Sequence, residues 1–131
     1  MNAYVIPFER LGMGDLDRVG GKNASLGEMI GSLARLGVHV PGGFATTAQA
    51  FREFLEQDGL GGRIRAELAS LDVDDVTRLA AAGARIRQWV LATPFPAAVE
   101  RAVKDELRRM SGGSEIAVAV RSSATAEDLP D

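Results

Sequence analysis

The chain has 131 residues, of which 46% are hydrophobic and 25% are charged, a composition typical of globular proteins and not of disordered ones. Its 18 acidic and 15 basic residues give a formal net charge of -3, which excludes a broad electrostatic surface for nucleic acid or anionic lipid. The absence of cysteine excludes disulfides, a thiolate nucleophile and cysteine-bound metal.

The first residues carry no recognisable targeting signal. A short apolar run after Met1 is broken by Pro7 and followed by Glu9 and Arg10, so it lacks the basic region and the long apolar stretch of a signal peptide. Nowhere do about 18 apolar residues run together, as a membrane-spanning helix requires. We therefore expect a cytoplasmic protein with no nucleic-acid partner and no membrane partner.

Residues 1–46 are predicted to form a strand, a glycine-rich loop and a helix. Residues 3–8 favour a short strand, and four glycines between positions 12 and 21 mark the loop. Apolar residues then recur at helical spacing up to a stop signal at Gly37. The positions on this predicted face are Leu26, Met29, Ile30, Leu33 and Leu36. A brief strand from Phe44 follows, with Thr46 or Thr47 as the cap of the next helix.

Residues 47–112 are predicted to form a block of helices, and residues 113–131 a buried strand followed by a loop. Apolar residues at helical spacing mark the helices. These residues are Phe51, Phe54 and Leu55; Ile64, Leu68 and Leu71; Val76, Leu79, Ile86, Val90 and Leu91 before Pro94; and Val99, Val103, Leu107 and Met110. The apolar, partly β-branched residues 116–120 are typical of a buried strand.

These elements predict a helix-rich α+β fold with four or five helices and a few short strands. The sequence stops at Asp131 without a closing element. We interpret this ending as truncation inside a larger domain.

Two segments carry residues suited to phosphate binding. The first, Arg18-Val-Gly-Gly-Lys-Asn-Ala-Ser-Leu, places Gly20, Gly21 and Lys22 at the predicted start of a helix. Free amides and the positive end of the helix dipole favour an anion there, and glycines permit its close approach. The spacing differs from a Walker A loop, since Leu16 and Asn23 occupy positions that such a loop reserves for other residues. A simple turn with a solvated lysine is the alternative.

The second segment follows residues 116–120 and reads Arg121-Ser-Ser-Ala-Thr-Ala-Glu-Asp. A guanidinium is a rigid fork of donors for phosphate oxygens, and Ser122 and Ser123 can add hydroxyl or backbone donors. The alternatives are a helix cap formed by Thr125 with Asp128 and a surface ion pair of Arg121 with Glu127 or Asp128.

Together, the motifs give the chain a resemblance to phosphoenolpyruvate synthases along its whole length. The residues that carry it are Leu11-Gly-Met, Arg18-Val-Gly-Gly-Lys-Asn-Ala-Ser-Leu-Gly-Glu-Met, Gly37-Val-His-Val-Pro, Gly43-Phe-Ala-Thr-Thr-Ala and Ala119-Val-Arg-Ser-Ser-Ala-Thr-Ala-Glu-Asp. The resemblance implies the N-terminal part of an ATP-grasp-like nucleotide-binding domain. It further implies an enzyme that converts ATP, pyruvate and water to phosphoenolpyruvate, AMP and phosphate with Mg²⁺.

Carried onto this sequence, the resemblance assigns contacts with the ATP phosphates to Lys22 and Arg121. Gly20, Gly21, Ser122 and Ser123 are weaker assignments. No catalytic residue and no metal ligand is assigned, since the resemblance puts the magnesium ligands, the phosphohistidine domain and the pyruvate-binding domain beyond residue 131. The family's phosphoryl-carrying histidine belongs to a different motif, so we expect His39 to be structural. We expect the chain alone to be inactive.

Two alternatives stay open at this point. One is a binding module or scaffold without chemistry of its own. The other is the same nucleotide domain from a related enzyme with a different acceptor, as in pyruvate phosphate dikinases, glucan dikinases and rifamycin phosphotransferases.

Overall fold

A computed structural model describes residues 4–126 and has a helix-rich α+β fold. Over these residues the chain forms strands β1 (Val5–Pro7) and β2 (Phe44–Thr46), a single helical turn α1 (Leu16–Val19), and helices α2 (Gly21–Arg35), α3 (Ala48–Glu56), α4 (Leu60–Ala69), α5 (Val76–Ala92) and α6 (Ala97–Ser111). Short 3₁₀ segments lie at Phe8–Arg10, Met13–Asp15 and Gln57–Gly59. The predicted fold class and the predicted excess of helix over strand are confirmed.

The chain divides into two compact units. One unit contains the described residues up to Phe51 and those from Ala97 onward, and the other contains Arg52–Pro96. The boundary falls within α3 and just before α6, inside the predicted helical block at residues 47–112. Both segments predicted to bind phosphate belong to the first unit.

The first unit is built around a small antiparallel sheet. Val5 pairs with Thr46, and Ile6 pairs with Ala45. Beyond the strands, the Phe8 amide donates to the Gly43 carbonyl at 2.9 Å. The main cluster of buried side chains lies beside this sheet and consists of Ile6, Leu11, Val19, Ala24 and Ala45.

Helix α2 ends where its sequence predicts but buries a different face. The Gly37 amide donates to the Ala34 carbonyl at 3.1 Å and the Val38 amide to the Leu33 carbonyl at 3.0 Å, which together close the helix as a Schellman motif. Gly37 has φ 76°, a conformation that favours glycine.

The buried residues of α2 are Gly21, Ala24 and Gly27, whereas the predicted apolar face is only partly covered. Met29 is 43% exposed and Leu36 is 76% exposed. A Cβ on Gly27 would lie 2.4 Å from the Cβ of Leu11 and 2.5 Å from its carbonyl oxygen. The helix therefore approaches the backbone at Leu11 through Gly27.

The second unit contains α4, α5 and the end of α3. The rings of Phe54 and Phe95 have centroids 5.6 Å apart, and the guanidinium of Arg63 lies 5.0 Å from the centroid of the Trp89 ring. The predicted boundaries before Pro94 and near Gly59 are confirmed, since α5 ends at Ala92 and α3 gives way to the segment Gln57–Gly59.

The prediction of a buried strand at residues 116–120 is wrong. The segment is neither strand nor helix, and all five residues are exposed. A strand needs neighbouring backbone groups to receive its hydrogen bonds, and no described residue pairs with this segment. An apolar, β-branched pattern alone does not supply that neighbour.

None of the helices in the described part of the chain combines the length and the apolar character needed to cross a membrane.

Candidate phosphate-binding site

The start of α2 is shaped by a glycine in an unusual backbone conformation. Gly20 has φ 84° and ψ 166°, and it joins α1 to α2 as the residue that precedes the first turn. Its amide donates to the Leu16 carbonyl at 2.9 Å, and its carbonyl accepts from the Ala24 amide at 3.0 Å. The Asn23 side chain donates to the Val19 carbonyl at 2.9 Å. These bonds fix the direction in which the first turn of α2 points.

The segment that contains Arg121 lies directly against this glycine. The Gly21 amide donates to the Ala124 carbonyl at 3.2 Å. A Cβ on Gly20 would lie 2.3 Å from the Ser123 Oγ and 2.9 Å from two backbone atoms of Ala124. The two segments are 100 residues apart in sequence and meet in space through their backbones, because Gly20 has no side chain. Residues 20–22 and residues 121–124, the two segments that meet here through Gly20 and Gly21 on one side and Ser123 and Ala124 on the other, are called the junction.

One hydroxyl at the junction has no hydrogen-bond partner. The Ser123 Oγ is shielded from solvent, and within residues 4–126 no donor or acceptor reaches it. A buried hydroxyl without a partner costs about 1–3 kcal/mol. Such an atom is a candidate contact for a ligand oxygen, since a ligand would supply the missing bond.

The two basic residues predicted to bind phosphate, Lys22 and Arg121, belong to the two segments of the junction. Lys22 follows Gly21 in the first turn of α2, and its side chain is exposed. Arg121 is exposed. Because it precedes Ala124 by three residues, the Cα atoms of Arg121 and Ala124 are at most about 11 Å apart, the reach of an extended chain. Within residues 4–126 Arg121 forms no ion pair. Its alternative partners Glu127 and Asp128, like the Asp128 of the proposed cap with Thr125, lie outside the described residues.

Sequence reasoning found both segments but missed the role of Gly20. The glycine pair predicted room for a phosphate beside the backbone, whereas Gly20 makes room for Ser123 and Ala124 of the same protein. A glycine before a helix is consistent with a positive φ, so this conformation could have been predicted. The residues around Gly20 do not indicate which distant segment packs against it.

Acidic residues near the glycine-rich loop have structural roles. The Asp15 carboxylate accepts from the Gly12 amide at 3.1 Å and pairs with Arg18 at 3.2 Å. The Glu28 carboxylate accepts from the Met13 amide at 3.2 Å. Over residues 4–126 no three histidine or acidic side chains cluster in a way that could hold a metal ion.

His39 is exposed in the loop after α2, so the expectation of a structural role has no support from packing.

Two hollows occur elsewhere on the described surface. One, of about 710 Å³, lies beside the end of α6, and another, of about 300 Å³, lies in the second unit. Neither is lined by a residue of the junction.

Comparisons with known proteins agree on one family. The sequence pattern of the domain family described as "Pyruvate phosphate dikinase, AMP/ATP-binding domain" matches residues 16–131. Similar proteins named phosphoenolpyruvate synthase come from Pseudomonas aeruginosa strain UCBPP-PA14 at 59% identity, Neisseria meningitidis serogroup B at 60% and Escherichia coli K12 at 57%.

These alignments cover nearly all of this chain but little of the relatives. They include 100%, 98% and 97% of the chain, and 17%, 16% and 16% of the three relatives, respectively. The chain therefore spans about a sixth of the length of the curated relatives that it matches. The family pattern matches most of the chain, and the chain thus belongs to the pyruvate phosphate dikinase AMP/ATP-binding domain family.

Proposed function

We propose that this chain supplies part of the ATP-binding surface of a phosphoenolpyruvate synthase and that the junction receives the triphosphate. The observation that carries the proposal is the hydrogen bond from the Gly21 amide to the Ala124 carbonyl, at 3.2 Å. It joins the segment of Lys22 to the segment of Arg121. The similarity to three phosphoenolpyruvate synthases over nearly the whole chain supports the same assignment.

The residues of the junction fit the oxygens of a phosphate chain. The first turn of a helix carries the positive end of the helix dipole, and α2 begins at Gly21, whose own amide is bonded to the Ala124 carbonyl. Lys22 adds a mobile point charge, and Arg121 adds a planar fork of donors. The Ser123 hydroxyl gains a hydrogen-bond partner if a phosphate oxygen reaches it. Ser122 is a weaker contact.

The chemical role of these groups is electrostatic. Phosphoryl transfer depends on positioning the phosphates and on neutralising the charge that develops on their oxygens. Lys22 and Arg121 supply two positive charges from segments that the fold holds side by side. Neither residue is proposed to form a covalent bond or to move a proton.

The reaction belongs to the longer parent protein. There, ATP, pyruvate and water give phosphoenolpyruvate, AMP and phosphate, with a histidine of a separate domain carrying the phosphoryl group. We propose that this chain is part of an ATP-grasp-like domain, that Mg²⁺ accompanies the nucleotide with ligands from other parts of the parent, and that pyruvate binds to another domain. The chain alone is expected to be inactive.

The proposal is tested by measuring the affinity for magnesium-ATP of the chain itself and of three single-residue variants of a parent enzyme. We expect at most weak binding by the chain itself, because it is about a sixth of the length of its relatives. In a parent enzyme, Lys22→Ala and Arg121→Ala should each weaken ATP binding about tenfold or more, the loss typical of one charged hydrogen bond. Arg35→Ala removes an equal charge at the other end of α2 and should leave binding unchanged.

Two results would contradict the proposal. Equal affinity of the Lys22→Ala, Arg121→Ala and Arg35→Ala variants would show that the junction does not hold the nucleotide. Submicromolar binding by the isolated chain would show that the chain needs no other part of the parent for tight binding.

The acceptor is tested separately on the full-length parent protein. AMP formation that depends on pyruvate but not on added phosphate is the result expected of a phosphoenolpyruvate synthase. The family description also names pyruvate phosphate dikinase. A requirement for both pyruvate and phosphate would therefore favour that enzyme instead.

A further inference from the structure

The carbonyl of Val19 is bonded by a side chain where a continuous helix would use the backbone. In an α-helix each carbonyl accepts from the amide four residues later, so the Val19 carbonyl would accept from the Asn23 backbone amide. Gly20 interrupts this pattern with φ 84° and ψ 166°. The Asn23 side-chain amide donates to the Val19 carbonyl instead, at 2.9 Å. The side chain of Asn23 therefore connects the end of α1 to the first turn of α2 across Gly20.

This exchange of donors leaves the backbone amide of Asn23 available. The first backbone hydrogen bond of α2 runs from the Ala24 amide to the Gly20 carbonyl, at 3.0 Å, so the Asn23 amide has no partner inside the helix. In the described part of the chain, no other residue accepts a hydrogen bond from this amide. Amides in the first turn point out of the start of the helix, where a ligand oxygen can accept from them.

A second polar group without a partner lies against Gly20 itself. The Ser123 Oγ is shielded from solvent, and nothing within residues 4–126 bonds to it. A Cβ on Gly20 would lie 2.3 Å from this oxygen, so the hydroxyl is packed directly on the glycine between α1 and α2. A hydroxyl and a backbone amide can both donate to a phosphate oxygen. The joint at Gly20 thus carries two donors that the fold does not use.

We propose that Asn23 is a positioning residue of the ATP site. Its side chain satisfies the Val19 carbonyl and fixes the joint between α1 and α2, which leaves its backbone amide to an oxygen of the triphosphate. Lys22 immediately precedes Asn23, so the same joint determines where the lysine side chain begins. The inference rests on the proposed function, since it assigns a role within the site of Lys22 and Arg121. Asn23 forms no covalent bond and moves no proton.

A selective loss of affinity for the phosphates tests this role in a parent enzyme. Asn23→Ala removes the side-chain donor and introduces a residue that favours helix. The first turn of α2 is then no longer held to the Val19 carbonyl, so the affinity for magnesium-ATP should fall about tenfold. The affinity for adenosine, which carries no phosphate, should stay unchanged. A substitution that only loosened the domain would weaken the binding of both ligands.

Thr93 offers a matched control in the second unit. Its hydroxyl donates to the Trp89 carbonyl at 2.6 Å, which is again a bond from a side chain to the carbonyl four residues earlier. Thr93→Ala removes this bond in a unit that carries no residue assigned to the nucleotide. This variant should bind magnesium-ATP and adenosine with the affinities of the unchanged parent.

A measurement on the unaltered chain does not depend on how a variant folds. The isotope-labelled chain is titrated with magnesium and inorganic tripolyphosphate, and its amide resonances are followed by NMR until those of residues 121–124 shift. The backbone amide resonance of Asn23 should shift with them, because this amide gains an acceptor. The side-chain amide resonances of Asn23 should stay in place, because the Val19 carbonyl already accepts from that group.

Three results would overturn the inference. If Asn23→Ala binds ATP like the unchanged parent while Lys22→Ala and Arg121→Ala bind it more weakly, the ATP site stands and Asn23 has no role in it. An equal loss of affinity for ATP and adenosine, or an equal loss in Thr93→Ala, would make Asn23 a general structural contact. A backbone amide of Asn23 that stays in place, or side-chain amides that shift, would contradict the proposed division of roles.

Failure of the proposed function itself gives a different pattern. Full affinity for ATP in both Lys22→Ala and Arg121→Ala would contradict the proposed function, and the inference about Asn23 with it.

Discussion

At the level of single residues, the contact between the two segments of the junction depends on the absence of a side chain at Gly20. A Cβ there would overlap the Ser123 Oγ and crowd the backbone of Ala124, at 2.3 Å and 2.9 Å. The positive φ of Gly20 adds strain for any other residue. The close contact of the two segments predicted to bind phosphate therefore depends on glycine at this position.

Removing the unpaired hydroxyl of Ser123 should not destabilise the chain without ligand. Its Oγ is buried and has no partner within residues 4–126, so Ser123→Ala removes a group that costs free energy to bury. We expect the free energy of unfolding from urea denaturation to stay unchanged or to rise by about 1–2 kcal/mol.

The neighbouring substitution Ser122→Ala is the control, because Ser122 is exposed. It should change the free energy of unfolding by less than about 0.5 kcal/mol. A loss of more than about 1 kcal/mol in Ser123→Ala would mean that the hydroxyl already has a partner.

At the scale of elements, two glycines in α2 should respond to alanine in opposite directions. Gly27 lies against Leu11, where a Cβ would sit 2.4 Å from the Leu11 Cβ, whereas a Cβ on Gly31 meets nothing within 4 Å. Gly27→Ala should lower the free energy of unfolding by about 1–3 kcal/mol through overpacking. Gly31→Ala should raise it by about 0.5–1 kcal/mol through helix propensity.

Urea denaturation of both variants measures this difference, and each serves as the control for the other. Equal effects of the two substitutions would contradict the close packing of α2 on Leu11.

The charge pattern of α6 makes a second prediction at this scale. The Lys104 Nζ donates to the Glu100 carboxylate at 2.6 Å, and this hydrogen bond, together with the lysine charge, lowers the pKa of Glu100 below its ordinary value. A carboxyl whose pKa is lower in the folded state stabilises that state above its unfolded pKa. The contribution is lost as the pH falls from the ordinary glutamate pKa of about 4.3 through the lowered pKa of Glu100.

Lys104→Gln should therefore raise the pKa of Glu100 towards its ordinary value, as measured by carbon-detected NMR titration of the carboxyl group. Arg101→Gln removes a neighbouring charge that is not bonded to Glu100 and should leave this pKa in place. An unchanged Glu100 pKa in Lys104→Gln would contradict the ion pair.

How well each element could be predicted depends on whether its cause is local. The ends of α2 and α5 were predicted well because Gly37 and Pro94 act on their own neighbours. Thr47 was one of two predicted caps, and its hydroxyl accepts from the Ala50 amide at 3.3 Å. The buried face of α2 was predicted wrongly because it depends on the approach of Leu11, which helical spacing does not report.

For the molecule as a whole, the two segments of the candidate site could be predicted because their signals are local. The contact between them could not, because it depends on residues far apart in the sequence. Glycines before a helix and an arginine followed by serines identified two segments suited to phosphate. Their contact depends on chain folding over 100 residues and on the fit of Ser123 against Gly20. The strand predicted at residues 116–120 was wrong because its backbone has no partner within the described residues.

The chain contains two compact units, and all residues assigned to the nucleotide lie in the first. The second unit, Arg52–Pro96, carries none of them. We therefore expect the contact with ATP to be confined to the first unit.

The proposed function requires that residues 20–22 and residues 121–124 receive one triphosphate together. Its most direct test is a titration of the isotope-labelled chain with magnesium-ATP, followed through the backbone amide resonances by NMR up to millimolar nucleotide. Resonances of both segments should shift along one binding curve, with a single weak dissociation constant, while those of Arg52–Pro96 stay in place. Shifts in only one of the two segments, or shifts that follow two different binding curves, would contradict it.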